Sequence, residues 1–585
     1  MTPRKPWRIY IDDRNYVSWR LYDLDTKEEA SFDIIESLKI NPVEKKLFNN
    51  DIIIENGELV YSHLRNCPSL AGVLLLENNK TYGRTENKKR LLYKCVPDDK
   101  RVPSFLVPYD MKLGFSKNIK NKYVVFKFES WIGTHPNGVL LEVLGDVDNL
   151  EAFYEYKLYC RNLNISNKEF NKKTHKLFQS DKTEEYVQKI LQNPQFNIED
   201  RRKEYIFTID PKNSTDFDDG FSIKTTPQET TIISVYIANV FFWMETFDLW
   251  SSFTKRVSTI YLPDRRRPML PTILSDNLCS LLQNQSRFAF CMDLEYSENN
   301  ELINITYSNV LIQVKKNFVY EESALLKNKY YQELFQKTQK IQSKTENSHD
   351  VVSYWMIYMN TKCGEYMFEN KIGIYRSVFS NGALNGSAIN IIDKDPKIDI
   401  ETKRFLHNWN SISGQYIVFS EDVNIEHELM NLPSYVHITS PIRRLVDLLN
   451  QILFFSHFLL VKTISHNAEE FLKEWLSEIE FINERMKSTT KIERECEIIR
   501  KCLSNPDILE KYHEAYIIDI RELKQDDYSC QYKYLLYLEK ERIILTMKSE
   551  QKKDMYKKYK VKLYKIDSYG VACKIKVGFY SEDLK

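Results

Sequence analysis

The chain has little of what loosens a polypeptide: 15 glycines and 18 prolines in 585 residues exclude collagenous and low-complexity architectures. It also lacks a charge of one sign. Lys and Arg total 83 against 82 Asp and Glu, so no global field draws it to nucleic acid or membrane, and any polyanion must be bound locally. Its ten cysteines are scattered without a CxxC pair, which argues against a zinc ribbon or a dithiol redox centre and suits reduced, intracellular thiols. The start, MTPRKPWRIYIDD, has no apolar signal-peptide core. The longest apolar patch, ILFFSHFLLV at 452–461, is too short for a bilayer. With 42% hydrophobic residues, the expectation is a soluble, folded protein of roughly three or four domains.

Up to about residue 165, short alternating runs (WRIYI, DIIIE, AGVLLLE, YVVFKFESW) are separated by Asn, Asp, Gly and Pro, with HPNG at 135–138 as a tight turn. That pattern suits small β-barrels. Residues 165–200 are polar and Lys-rich around one helical stretch, TEEYVQKILQN, and read as a linker. From about 200 to 510, strands give way to helices such as EESALLKNKYYQELFQKTQKI and SYWMIYMNTKCGEYMFE, the order of an α+β domain. Strand-like alternation returns after Pro506, so a last small barrel is expected beyond a boundary near 512.

The stretch FTIDPKNSTDFDDG at 207–220 places Asp210, Asp216, Asp218 and Asp219 in one short loop. Alternation of Tyr205, Phe207 and Ile209 predicts a strand that delivers Asp210 at its end, where Pro211 stops it. Carboxylates about 4 Å apart repel by about 4 kcal/mol at an effective dielectric of 20. A cation or captured protons would relieve this. All-oxygen ligands suit Mg²⁺, with Mn²⁺ as a substitute. An EF-hand fails on spacing, since its glycine would fall on Phe221 and its terminal Glu on Pro227. A solvated acidic turn is the bland alternative.

In TSPIRRLVDLLNQIL, Thr439 or Ser440 can cap a helix with Pro441 in its first position, and Ile442, Leu445, Leu449 and Ile452 form an apolar stripe. Arg443 and Arg444 would then lie in the first turn, against the usual charge preference there. Either a phosphate or a salt bridge to an acid would satisfy them.

The loop resembles the signature of the RNase II/RNase R (RNB) family, TIDP followed after four or five residues by DxDDA. Further matches follow in the family's order: VYIANV at 235–240, STIYLPDRRRPMLP at 258–271, LSDNLCSLL at 274–282 and HITSPIRRLVDLLN at 437–450. WIGTHPNGVLLEVLGDVDNLEAF at 131–153 resembles the second cold-shock barrel of eukaryotic members, including the exosome's catalytic subunit. The resemblance implies a multidomain α+β protein in which an RNB-type catalytic domain is flanked by OB-fold barrels. The expected divisions are a cold-shock-like barrel at 1–98, a second at 99–164, a linker at 165–200, the RNB domain at 201–511 and a degenerate, RNA-binding OB-type barrel at 512–585.

It further implies a Mg²⁺-dependent hydrolytic 3′-to-5′ exoribonuclease acting processively on single-stranded RNA and releasing nucleoside 5′-monophosphates. The alternative is a catalytically inactive RNA-binding protein on the same scaffold; a structural ion site in another kind of protein is a further rival. By position, Asp210 and Asp219 inherit Mg²⁺ binding, with Asp216 reaching the ion directly or through water, and Asp218 matches the aspartate most critical for cleavage. Arg443 becomes the clamp on the phosphate. Tyr261 matches an aromatic that packs on the 3′-terminal nucleotide, and Arg265, Arg266 and Arg267 are expected to track phosphates, although arginine runs are more often solvated loops. Arg444 joins the RNA-binding group, with a structural role preferred. Glu493 matches a glutamate near the leaving nucleotide in some members, and a surface acid is its alternative.

Gly220, Tyr236 and Asn239 depart from the family's pattern at tolerant positions. Ser353 and Tyr354 stand where a pair of glutamates is common, which bears on recognition of the ribose and so on RNA against DNA. No PIN-type nuclease domain is recognised, so stable exosome membership is not expected. A cytoplasmic monomer without membrane contact is expected, with a nuclear or viral-factory location left open.

Overall fold

The computed structural model describes residues 5–38, 40–54, 57–77, 80–85, 89–110, 119–178, 182–378, 402–403, 405, 414–422, 424–427, 430–524, 530–568 and 571–580. The chain divides into two compact units, one made of residues 1–164, 262–264 and 491–585, the other of 165–261 and 265–490.

Among the described residues the first unit holds three β structures. Pro6–Ile11 buries Trp7, Ile9 and Ile11 on one side, the period of a half-buried strand, and lies in a four-stranded sheet with Trp19–Asp23, Ile52–Ile54 and Leu59–Tyr61. Strands Leu70–Leu74, Leu91–Pro97, Phe105–Tyr109, Lys122–Ser130 and Asn137–Asp146 close a barrel around Tyr93, Phe105 and Phe126. The expected division at 98/99 therefore falls between two hydrogen-bonded neighbours of one barrel, Leu91–Pro97 and Phe105–Tyr109. Helix Leu150–Cys160 follows, its first turn capped by the Asn149 side chain accepting the Ala152 N–H at 3.0 Å. The alternation after Pro506 corresponds to strands. Tyr512–Lys524, Cys530–Leu538, Ile543–Ser549, Lys558–Ser568 and Val571–Phe579 form a five-stranded antiparallel sheet over Ala515, Ile517, Leu536 and Leu563.

The second unit is built on a mixed sheet in the order Ile198–Asp200, Leu302–Val319, Ile206–Asp210, Asp219–Thr225, Thr231–Ala238, Ser286–Tyr296. Leu302–Val319 also pairs with Ser286–Tyr296, so one 18-residue strand is shared between Ile206–Asp210 and Ser286–Tyr296. Residues 165–200 are no free linker. Helices Lys168–Leu177 and Thr183–Leu191 bury Phe170, Val187 and Ile190 in this unit's core, and their polar composition is that of an outward face. The helix expected from EESALLKNKYYQELFQKTQKI is broken: Asn328 accepts the N–H groups of Tyr330 and Tyr331, ending Ser323–Leu326 and starting Lys329–Ile341. Ser348–Glu369, Leu445–His457 and His466–Ser477 complete the helical layer, and the two units divide within helix Ile479–Ser504 rather than at 511/512.

Candidate active site

Every residue of Ile206–Asp210 is buried, because this central strand is covered on both faces rather than one. It ends where expected. Asp210 lies beside Val319 of the parallel neighbour, its carbonyl accepting the Tyr320 N–H at 3.1 Å, and the chain turns at Asn213 with φ 70°. The antiparallel return strand begins at Asp219, which brings the two ends of the acidic loop together.

The loop is clasped from behind. Ser280 Oγ accepts the Phe217 N–H and donates to the Thr215 carbonyl, both at 2.9 Å, while Leu281 N–H donates to the Phe217 carbonyl at 3.0 Å. Arg287, 1% exposed, donates Nε to the carbonyls of Ser280 and Asn277 at 2.9 and 3.0 Å and Nη2 to Asn277 Oδ1 at 2.9 Å. Burial lowers this guanidinium's pKa to about 10. Its partners are neutral oxygens, so it braces the backbone of 277–280 without neutralising the acids.

The four aspartates divide into two pairs. Asp218 is buried, its Oδ1 accepting the Ile442 N–H at 3.1 Å and its Oδ2 accepting Arg443 Nε at 3.0 Å. Asp216 accepts the Tyr261 hydroxyl at 3.1 Å and forms an ion pair with Arg266 at 2.9 Å. In contrast, Asp210 and Asp219 each keep a buried Oδ2 without a hydrogen-bond partner among the described residues. Burial pushes Asp218 up to about 7 against the pull of Arg443, and pushes Asp219 up to about 6. Asp210 is driven well above the carboxylate range, by burial first and then by Asp219. Among the described residues no three carboxylate, imidazole or thiol groups converge as a ready-made ligand cage. The two orphaned, buried oxygens nevertheless fit Mg²⁺, which is commonly held through one or two carboxylates and completed by water and substrate phosphate.

The segment carrying Arg443 is placed differently from expectation. Helix Leu445–His457 begins after both arginines, Arg444 is its N-cap residue, and neither Thr439 nor Ser440 supplies the capping bond. Carboxylates from elsewhere take the backbone donors instead: Asp447 Oδ1 accepts the Ser440 N–H at 2.7 Å, and Asp218 accepts that of Ile442. The Arg443 carbonyl is used by the Thr259 N–H at 3.0 Å, and Leu445 N–H donates to Val257 at 2.9 Å, so 441–443 form a turn tied to the segment before Tyr261. Arg443 also donates Nη2 to Ser440 Oγ at 2.9 Å, and its side chain is 42% exposed. Arg444 instead pairs with the fully buried Asp447 at 2.9 Å, which is a structural position.

Ile260–Tyr261 and Arg266–Arg267 form a small hairpin. Tyr261 is 44% exposed, with its hydroxyl on Asp216. Arg266 binds Asp216 and Asp276, whereas Arg267 is buried with Nη1 on the Arg265 carbonyl at 2.6 Å. Only Arg265 of the three is exposed. Glu493 belongs to the first compact unit, where its charge acts on Arg494. Tyr354 packs edge-on against Trp355 at 4.9 Å, an aromatic setting hostile to a carboxylate.

Tyr320 and Ser280 are among the residues that escaped the sequence reading, as are Arg287 and Asp447. Tyr320 stacks on His349 with ring centroids 3.7 Å apart, and burial followed by the charges of Asp219 and Asp210 raises its phenol. Parallel pairing places it here across more than a hundred residues, which no local pattern encodes. Ser280 lay within LSDNLCSLL, but nothing in that motif announces which backbone its hydroxyl holds.

Comparison with known proteins agrees with this geometry. The RNB domain model matches residues 198–333 and 326–458, and a Dis3-like cold-shock domain 2 model matches 92–156. Among curated proteins the chain is 23% identical over 305 residues to the exosome complex exonuclease RRP44 of Mus musculus, covering 52% of this chain and 30% of that one. It is 35% identical over 128 residues to ribonuclease R of Aquifex aeolicus, covering 22% and 18%. The aligned stretches thus span less than a third of either relative. Among solved structures, Mycoplasma genitalium RNase R in complex with ribose-methylated single-stranded RNA shares the fold at TM-score 0.66 and 16% identity, over 98% of this chain and 100% of that one. Yeast Ssd1, a pseudonuclease, does so at 0.53 and 12%, over 92% and 81%. Carrying an RNB domain around its acidic loop and, earlier in the sequence, a stretch that matches the Dis3-like cold-shock domain 2, the chain belongs to the RNB family.

Proposed function

We propose that this chain is a Mg²⁺-dependent hydrolytic exoribonuclease that degrades single-stranded RNA from its 3′ end and releases nucleoside 5′-monophosphates. One observation carries the reading: two buried carboxylate oxygens without hydrogen-bond partners among the described residues, on Asp210 and Asp219, stand beside an aspartate that holds a half-exposed arginine. A pure binding protein gains nothing from leaving such acids unpaired. Asp210 and Asp219 would hold the ion, with Asp216 within reach directly or through water. When bound, a divalent ion activates water and offsets charge on the phosphate.

The protein's own groups do the remaining work. Asp218 fixes Arg443 through Nε while Ser440 fixes Nη2, so the guanidinium is held in one orientation towards the charge that develops on the phosphate. Tyr261, with its ring half-exposed and its hydroxyl anchored on Asp216, offers a face to the terminal base, a contact that any sequence can make. Successive removal of nucleotides needs that tolerance. In the rival reading, a pseudo-enzyme, Arg443 and Arg266 permanently occupy Asp218 and Asp216 and no ion is taken up.

The test is incubation of 5′-labelled single-stranded RNA with Mg²⁺, alongside Asp218→Asn and a DNA strand of the same sequence. Mononucleotide release by the parent and none by the variant is the expected result. Equal cleavage by the variant, or internal cuts, would refute the mechanism. The DNA strand reports whether Ser353 and Tyr354, in place of glutamates, relax the choice of sugar.

A further inference from the structure

Both oxygens of Asp216 are taken by one pair of facing residues. Tyr261 and Arg266 lie directly opposite each other in the small hairpin, and residues so placed share a face. The Tyr261 hydroxyl donates to Oδ2 at 3.1 Å, and the Arg266 guanidinium pairs with Oδ1 at 2.9 Å. With its other terminal nitrogen Arg266 reaches a second carboxylate, Asp276.

None of these groups sits on a loose segment. Asp216 lies in the loop that Ser280 clasps at Thr215 and Phe217. Asp276 precedes Asn277, whose carbonyl and side chain Arg287 holds at 3.0 and 2.9 Å, and its own Oδ1 accepts the Ser275 hydroxyl. The hairpin is anchored on both flanks. Thr259 N–H donates to the Arg443 carbonyl, its hydroxyl oxygen accepts the Met269 N–H at 3.0 Å, and the Pro268 carbonyl accepts Arg256 Nη1 at 2.8 Å. The side chains of Arg266 and Asp216 are 21% and 10% exposed. Arg266 is therefore a fixed positive charge built into the pocket, not a mobile latch.

A fixed cation changes how many ions the pocket can take. Of the loop's four aspartates, Asp218 has Arg443 and Asp216 has Arg266, so the chain itself balances two of the four formal charges. The other two are on Asp210 and Asp219, whose Oδ2 atoms lack hydrogen-bond partners among the described residues, and one divalent cation balances them. Asp276, with its side chain 29% exposed, is partly screened by water. Where phosphodiester chemistry uses two ions, they stand about 4 Å apart. A second ion on Asp216 would have to displace both the hydroxyl and the guanidinium, and would then face that guanidinium at close range, where like charges repel.

We propose that Arg266 stands where a second divalent ion would otherwise be held, so that this chain takes up one ion, on Asp210 and Asp219, and uses a guanidinium in place of another. Arg266 is a positioning residue, since it acts through Asp216. The inference rests on the Mg²⁺ reading given above and narrows the part of Asp216, which anchors Arg266 and the Tyr261 hydroxyl and takes no ion of its own.

Mn²⁺ uptake by the full chain, followed by electron paramagnetic resonance, tests this with and without a saturating RNA whose last linkage is a 3′-methylene phosphonate and cannot be hydrolysed. The same RNA without protein supplies the background. The parent should take up one ion per chain in both states, with no magnetic coupling between ions. Arg266→Gln leaves Asp216 and Asp276 without their cation and should take up two ions, close enough to couple, when the RNA is bound. Arg266→Lys keeps the charge and should stay at one. The Mg²⁺ dependence of cleavage should follow, first-order in the ion for the parent and the Lys variant and tending to second-order for the Gln variant. The count on the parent decides without any variant: two coupled ions overturn the proposal and leave the metal reading standing. A folded Arg266→Gln that still takes up one ion overturns it as well. No uptake by the parent, with or without RNA, removes the metal reading and this inference together.

Discussion

Asp218 gives one oxygen to the Ile442 N–H and the other to Arg443 Nε, so its carboxylate and the arginine act as one unit. Arg443→Lys keeps the charge but loses the fork that reaches Asp218 and Ser440 together. We expect kcat to fall about 10²- to 10³-fold with RNA affinity in EDTA nearly unchanged, the scale seen when one oriented donor to a developing charge is lost. Single-turnover kinetics would check it, and an unchanged kcat would remove Arg443 from the chemistry. For Tyr261→Ala, stacking of roughly 1–3 kcal/mol per base predicts a rise in KM of about 5- to 150-fold with a smaller effect on kcat. Tyr261→Phe, which retains the ring and loses only the bond to Asp216, should restore most of it. The acidic loop and the Arg443–Arg444 pair drew attention because like charges crowded together and cations after a helix-start signal each demand an explanation, whereas Tyr261 was singled out only through the family resemblance. Which acid takes which partner was not, since Asp216 meets Arg266 and Asp218 meets Arg443 only through tertiary contacts.

Elements position those groups through bonds that local sequence does not advertise. Arg443 and Arg444 were expected within a helix because Thr-Ser-Pro is a start signal, yet Asp447 reaches back to the Ser440 N–H and delays the helix to Leu445. Asp447 also holds Arg444, and removing one partner of a buried pair strands the other. Asp447→Ala should therefore cost about 3–5 kcal/mol in urea unfolding. Arg444→Met should leave the salt dependence of RNA binding as it was; a slope reduced by a full contact would return Arg444 to the RNA path. The clasp behind the acidic loop makes a similar prediction. Ser280→Ala leaves the Phe217 N–H and Thr215 carbonyl without their partner, at a cost of about 1–3 kcal/mol. It should raise the Mg²⁺ concentration needed for half-maximal cleavage, with Ser280→Thr, which keeps the hydroxyl, close to the parent. Strand type followed from periodicity in the alternating runs WRIYI, DIIIE, AGVLLLE and YVVFKFESW. Periodicity did not reveal the break at Asn328 or the packing of the polar helices of 165–200, where capping and a single buried stripe outweigh overall composition.

For the whole molecule the formal charge of +1 holds at pH 7 and grows positive as carboxylates protonate, so the part that one buried group plays in pH-dependent stability is read by comparing parent and single variant at the same pH. Asp51 in the first unit is the clearest such group outside the acidic loop. It is fully buried, its Oδ2 accepts the Phe48 N–H at 2.8 Å, and burial pushes its pKa up to about 6. An unfolded aspartate titrates near 3.9. Between about pH 4 and pH 6 the folded chain therefore binds this proton more tightly than the unfolded one, so stability falls as pH rises through that window and this contribution is level above it. A shift of about two units corresponds to about 3 kcal/mol. Asn is nearly isosteric, keeps an acceptor for Phe48 and cannot ionise. The difference in unfolding free energy between the parent and Asp51→Asn should accordingly favour the variant progressively from pH 4 to 6 and then stay constant, as read from urea titrations at fixed ionic strength. Asp218 and Asp219 add the same sign over a window reaching about pH 7, but theirs should shrink when Mg²⁺ is added, because a bound cation favours the ionised form. The contribution of Asp51 should be indifferent to the metal. If Mg²⁺ flattens neither window, or flattens both equally, the ion does not reside on the acidic loop.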